Sequence, residues 1–103
     1  MDGFTKVATL DQIPEGGMKG FEINFEKIII CRSEDGVFAL ADECSHDSAP
    51  ISMGHVENCQ VVCPRHGARF DIKSGEVKGP PAVVGIDSYE VKVDGNDIYV
   101  KLD

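Results

Sequence analysis

The sequence predicts an all-β, antiparallel domain, and three observations carry the prediction. Short apolar runs are cut at regular intervals by Gly, Pro, Asn and Asp. Asp-Gly pairs, a strong hairpin signal, fall between two pairs of such runs. No segment sustains a helical period, whereas Tyr89, Val91 and Val93 alternate cleanly with Glu90 and Lys92.

Taken in order, Phe4 to Ala8 reads as a first strand, and Leu10 to Gly17, with Pro14 and Gly16-Gly17, as a loop holding one helical turn. Gly20 to Asn24 is a second strand. Lys27 to Arg32, containing Ile28-Ile29-Ile30-Cys31, is a buried strand, and Val37 to Ala41 is its partner across Glu34-Asp35-Gly36. From Cys44 to Pro81 the expected strands shorten to His55–Glu57, Gln60–Val62 and Ala68–Ile72, with Gly54, Gly67, Gly75 and Gly79 between them. Loops this dense in a small domain are where function is expected. The chain closes on a hairpin of Tyr89 to Val93 and Asp97 to Leu102 around Asp94-Gly95-Asn96.

The 103 residues suit one domain, 1–103, small enough for a bound metal to matter to its stability. The formal charge of −8 argues against nucleic acid, which needs clustered Lys and Arg, and favours solubility and basic protein partners. Residues 1–43 hold nine acids against four bases, while 44–76 hold four against three, so the acidity lies mostly outside the middle segment. Met1-Asp2-Gly3-Phe4 opens without a basic or apolar leader, and no apolar run approaches the length of a membrane helix. A cytoplasmic protein with no membrane association is expected, its thiols reduced or metal-bound.

The chemistry sits in Cys44-Ser45-His46 and, sixteen residues on, Cys63-Pro64-Arg65-His66. Two thiolates and two imidazoles suit Zn²⁺ or an iron–sulfur cluster. Zinc fingers pair Cys with Cys and His with His, whereas each pair here is mixed. Mixed pairs suit a two-metal site, both thiolates on one iron and both imidazoles on the other. Cys44, His46, Cys63 and His66 are therefore the candidate metal and cofactor ligands, with a single structural zinc as the alternative. No Ser–His–Asp arrangement, phosphate loop or carboxylate pair stands out, so no catalytic residue is assigned and an enzyme is not expected.

These motifs resemble those of Rieske ferredoxins. Cys44 to Gly54 is similar to their first cluster loop and Cys63 to Asp71 to their second, while Ser74-Gly75 and Gly79-Pro80-Pro81-Ala82 look like the turn and proline loop that follow. The resemblance implies a Rieske fold, an antiparallel β-sandwich with an inserted cluster-binding subdomain at about 42–82, holding one [2Fe–2S] cluster. It implies a soluble, monomeric one-electron carrier between a flavoprotein ferredoxin reductase and the terminal oxygenase of an aromatic-ring dioxygenase system. A small subunit of another redox complex, similar to that of nitrite reductase, is the second reading, and a zinc-stabilised interaction module the third.

Departures from related patterns sharpen this. Rieske subunits of quinol-oxidising complexes carry an extra Cys in each loop, where this chain has Ala49 and Arg65, and hydroxyls where it has Ala68 and Phe70. Without hydroxyl donors to the sulfurs the potential should lie towards the low end of the range of about −150 to +300 mV. Terminal oxygenase subunits show His-Arg-Gly and His-Gly-Trp, against His46-Asp47-Ser48 and His66-Gly67-Ala68 here. Of the remaining residues, Cys31 and Cys59 read as packing thiols and His55 as solvent-facing. Asp71 reads as the cap of a turn at Ser74-Gly75, Arg65 and Arg69 as docking or solvated charges, and Pro80-Pro81 as a cover for the cluster or a plain loop.

Overall fold

The computed structural model describes residues 3–43, 50–64, 67–80 and 84–102. Among the described residues ten strands form two antiparallel sheets. β1 (Phe4–Thr9), β2 (Met18–Ile23), β3 (Glu26–Ser33), β4 (Gly36–Ala41), β9 (Ser88–Asp94) and β10 (Asp97–Lys101) make a six-stranded sheet of order β1-β10-β9-β4-β3-β2. β5 (His55–Glu57), β6 (Gln60–Val62), β7 (Arg69–Asp71) and β8 (Val77–Gly79) make a four-stranded one. Short 3-10 turns occupy Leu10–Gln12 and Ile51–Met53. The all-β expectation holds. β8 and the second 3-10 turn carry no period in the sequence because each spans only three residues.

The apolar run on β3 explains how the halves join. Alternate side chains of a strand face opposite sides. Ile28 and Ile30 enter one buried cluster with Ala8, Ile13, Ala39, Ile98 and Val100, most of them on strands of the six-stranded sheet. Ile29 and Cys31 enter a second, with Leu40, Ile51, Val61, Cys63, Ala68, Phe70 and Ile72, between the two sheets. A strand buried on both faces reads as continuous rather than alternating hydrophobicity. The edges of this contact are tied by Lys73, whose Nζ lies 3.1 Å from Asp35 in the β3–β4 turn.

Two described hairpins turn through consecutive left-handed residues that are not glycine. Asn24-Phe25 joins β2 to β3 and Asn58-Cys59 joins β5 to β6, and all four residues have positive φ (52°, 68°, 51° and 60°). Two consecutive left-handed residues define the type I′ turn that matches strand twist. Cys59 is therefore exposed at a turn, which corrects the packing role expected of it. Cys31 is fully buried, as expected.

Candidate metal centre

The four-stranded sheet builds the second loop. β6 delivers Cys63 into the inter-sheet core, where it is 1% exposed. The Cys63 N–H donates to the Ala68 carbonyl at 2.8 Å, and the Gly67 N–H donates to the Cys63 carbonyl at 3.1 Å. The chain thus leaves the core at Cys63 and is back in it at Ala68, which starts into β7. Ala68 and Phe70 are both fully buried beside Cys63, so the positions that lack hydroxyls line the base of this loop.

The first loop springs from the other sheet. β4 ends at Ala41, whose N–H donates to the Asp87 carbonyl at 2.9 Å, and the Asp42 N–H donates to the Lys27 carbonyl at 2.9 Å. The chain returns at Pro50 into the 3-10 turn Ile51–Met53, anchored by the fully buried Ile51. The exit packs on the second loop's base. At Gly54 a Cβ would collide with the Val62 carbonyl, so only glycine lets the first loop's exit approach the residue before Cys63 this closely. The Gly54 N–H is spent on Ile51, at 2.8 Å.

Of the four candidate ligands, Cys63 is described and stands at the base of its loop. Cys44, His46 and His66 lie outside the described residues, as do Ala49, Arg65, Pro81 and Ala82. Among the described residues no group of three or more His, Cys, Asp and Glu side chains gathers as a metal site. The donor set nonetheless fits the cluster. Two loops that leave adjoining elements through one buried core each carry a thiolate and an imidazole, which is the mixed supply that two irons require.

The other singled-out residues fall as follows. His55 is exposed, with Nε2 3.2 Å from Glu57 Oε2. Arg69 reaches Gln60 Oε1 and Glu57 Oε1, each at 3.5 Å, so it belongs to a loose surface network on the four-stranded sheet. Its neighbours hold the Glu57 carboxyl below the usual carboxylate range, first through the His55 hydrogen bond and next through the charge of Arg69. Asp71 caps its turn: Oδ1 accepts from the Lys73 N–H at 2.7 Å and the Ser74 N–H at 3.3 Å. Burial, with a smaller push from Asp42, raises the Cys31 thiol to about 12. Sequence reasoning passed over Asp42, Ser52 and Gly20. The sequence reading starts the second strand at Gly20, whereas β2 begins at Met18 and places the glycine in mid-strand, where it often marks a close approach.

The described residues define an all-β domain of two antiparallel sheets that share a buried core, with Cys63 in that core. Residues 3–90 match the sequence profile of the Rieske [2Fe-2S] domain, and the chain belongs to that family. The cofactor is accordingly a Rieske-type [2Fe–2S] cluster, which decides between iron–sulfur and zinc. The ferredoxin component of biphenyl 2,3-dioxygenase from Rhodococcus jostii is 34% identical over 99 residues, 96% of this chain and 92% of the relative. The ferredoxin component of the naphthalene 1,2-dioxygenase/salicylate 5-hydroxylase systems of a Ralstonia species is 32% identical over 96 residues, 93% and 92% of the two chains. The solved ferredoxin of carbazole 1,9a-dioxygenase from Nocardioides aromaticivorans superposes with a TM-score of 0.92 at 33% identity, covering 97% of this chain and 98% of the other. Among the described residues no helix is long and apolar enough to cross a membrane.

Proposed function

We propose that this chain is a one-electron carrier of a multicomponent aromatic-ring oxygenase system, not itself the oxygenase, and that Cys44, His46, Cys63 and His66 hold its cluster. The observation that carries this is the buried Cys63 at the base of the closed 63–68 loop, packed against the exit of the loop that contains Cys44 and His46. The relatives reported above are named as ferredoxin components, and this chain matches them over nearly their whole length. A Rieske cluster held there supplies a one-electron couple. The chain's own part is to fix the ligands on two braced loops, to exclude water beneath them with Ile51, Ala68 and Phe70, and to withhold hydroxyl donors from those positions.

The partners proposed are a flavoprotein reductase as donor and the terminal oxygenase as acceptor, meeting a monomeric carrier in the cytoplasm. The net charge of −8 suits transient docking on basic patches. We take 1–103 as one Rieske domain with 42–82 as its cluster-binding part, a span that contains the four-stranded sheet.

Purified protein tests the reading. It should be red-brown, bleach with dithionite and give the low-average-g EPR signal of a reduced Rieske cluster. His46→Ala and His66→Ala should abolish that signal while His55→Ala leaves it. A colourless protein with one zinc per chain would refute the assignment. Failure of the reduced protein to pass its electron to any ring-hydroxylating oxygenase would refute the acceptor.

A further inference from the structure

Asp42 is the one buried charged side chain among the described residues, and the reading above gives it no task. Its carboxylate accepts two hydrogen bonds from a single residue. The Ser52 N–H donates to Oδ1 at 2.8 Å and the Ser52 hydroxyl donates to Oδ2 at 2.6 Å. Hydrogen bonds to a carboxylate are among the stronger ones, and these two are partly buried. Asp42 ends the approach from β4, and Ser52 lies in the 3-10 turn at the exit. Between them runs 43–51, the segment containing Cys44 and His46. The chain therefore enters and leaves the first ligand loop through one hydrogen-bonded knot.

A third element shapes the knot. Gly20 lies within β2, opposite Ile29 of β3. A Cβ there would fall 2.7 Å from Ser52 Oγ and 3.0 Å from Asp42 Oδ2, so any side chain would displace the contact. Glycine weakens a strand interior, and its presence here is explained by the room the clamp needs. The backbone of Asp42 is held separately, through Lys27 on β3, and Ile51 is held by the core. Both ends of the loop are thus fixed to rigid strands, which is what ligand geometry requires of its supporting residues.

Resting on the cluster reading above, we infer that the Asp42–Ser52 clamp, seated on Gly20, is a positioning device that sets the first ligand loop and thereby cluster retention and electronic signature. Asp42 and Ser52 act through the loop and are positioning residues. Three variants separate the components. Ser52→Ala removes the hydroxyl but keeps the N–H contact. Gly20→Ala keeps both polar groups but displaces them. Asp42→Asn keeps both contacts in neutral form, the amide donating to Ser52 Oγ.

The experiment follows holoprotein through the loss of its visible absorption under an iron chelator, the EPR signal of the reduced form and urea unfolding. Ser52→Ala and Gly20→Ala should lose the cluster about ten-fold faster than wild type and alter the EPR line shape. Ser52→Thr should restore the wild-type rate, and Asp42→Asn should fall between. Val100→Ala, in the other core, is the control for general destabilisation. Equal acceleration by Val100→Ala at a matched urea midpoint, with unchanged EPR throughout, would overturn the clamp's role. So would wild-type kinetics in Ser52→Ala and Gly20→Ala. A wild-type protein that never gives the Rieske signal would instead overturn the cofactor reading, and the clamp's role with it.

Discussion

At the scale of single residues, the two thiols that are not proposed ligands behave oppositely. Cys31 is buried and its pKa is pushed up to about 12, so it stays protonated at any working pH. Cys59 sits in the open at its turn. Native protein treated with iodoacetamide at pH 8 should be alkylated at Cys59 and spared at Cys31, which should react only on unfolding; peptide mass spectrometry reads this directly. Glu57 gives a pH dependence of defined sign. Its carboxyl is depressed in the folded state, so the stability it contributes is present above its unfolded pKa and is lost as pH falls through the folded value. Glu57→Gln should thus lower the urea midpoint slightly at pH 7, and the gap should close in acid; the effect is small because the side chains are exposed. Ala68 bears on potential. It is buried against Cys63 and offers no donor, so the midpoint should lie below about +100 mV and Ala68→Ser should raise it, measured by redox titration.

At the scale of elements, the hairpins show how far turn chemistry was readable. Gly95 has φ 63° at the first position of its two-residue turn, which suits type II′ and was signalled by Asp94-Gly95. Asn24-Phe25 and Asn58-Cys59 were less visible, because only Asn at the first position hints at a left-handed backbone. Phe25 pays for its φ of 68° and is almost fully exposed, so it recovers nothing by burial. Phe25→Gly should therefore stabilise the protein by about 0.5–1 kcal/mol in urea unfolding, the left-handed strain removed exceeding the entropy glycine adds to the unfolded chain. An unchanged or lower midpoint would show that the aromatic ring is held by contacts worth more than the strain.

At the scale of the molecule, the sheets depend on a shared core. Phe70 is its largest fully buried side chain, with Cys63, Val61 and Ile72 from the small sheet and Ile29, Cys31 and Leu40 from the large one around it. Phe70→Ala should cost about 3–5 kcal/mol and loosen both sheets together. Iron removal should act unequally. The six-stranded sheet keeps its own core of Ile28, Ile30, Ile98 and Val100, whereas the strands of the small sheet have three residues each and lie beside the loops proposed to hold the cluster. Hydrogen exchange on apoprotein should show faster exchange across β5–β8 than across β3 and β10. Equal protection in both sheets would mean that the small sheet is stable without its metal.

The sequence by itself determined the all-β class, most strands to within two residues and the two mixed Cys–His pairs. It could do so because strand period, turn residues and ligand chemistry are local properties, written within a few positions of one another. The tertiary structure alone decided which two cores the faces of β3 enter, that Cys59 is a turn residue and that β8 exists, since three-residue strands are stabilised by pairing rather than by pattern. It alone also joined Gly20, Asp42 and Ser52. No sequence spacing relates a mid-strand glycine to a carboxylate and a serine on two other segments; they meet because β2, the end of β4 and the exit of the first loop converge beside the loop that carries Cys44 and His46.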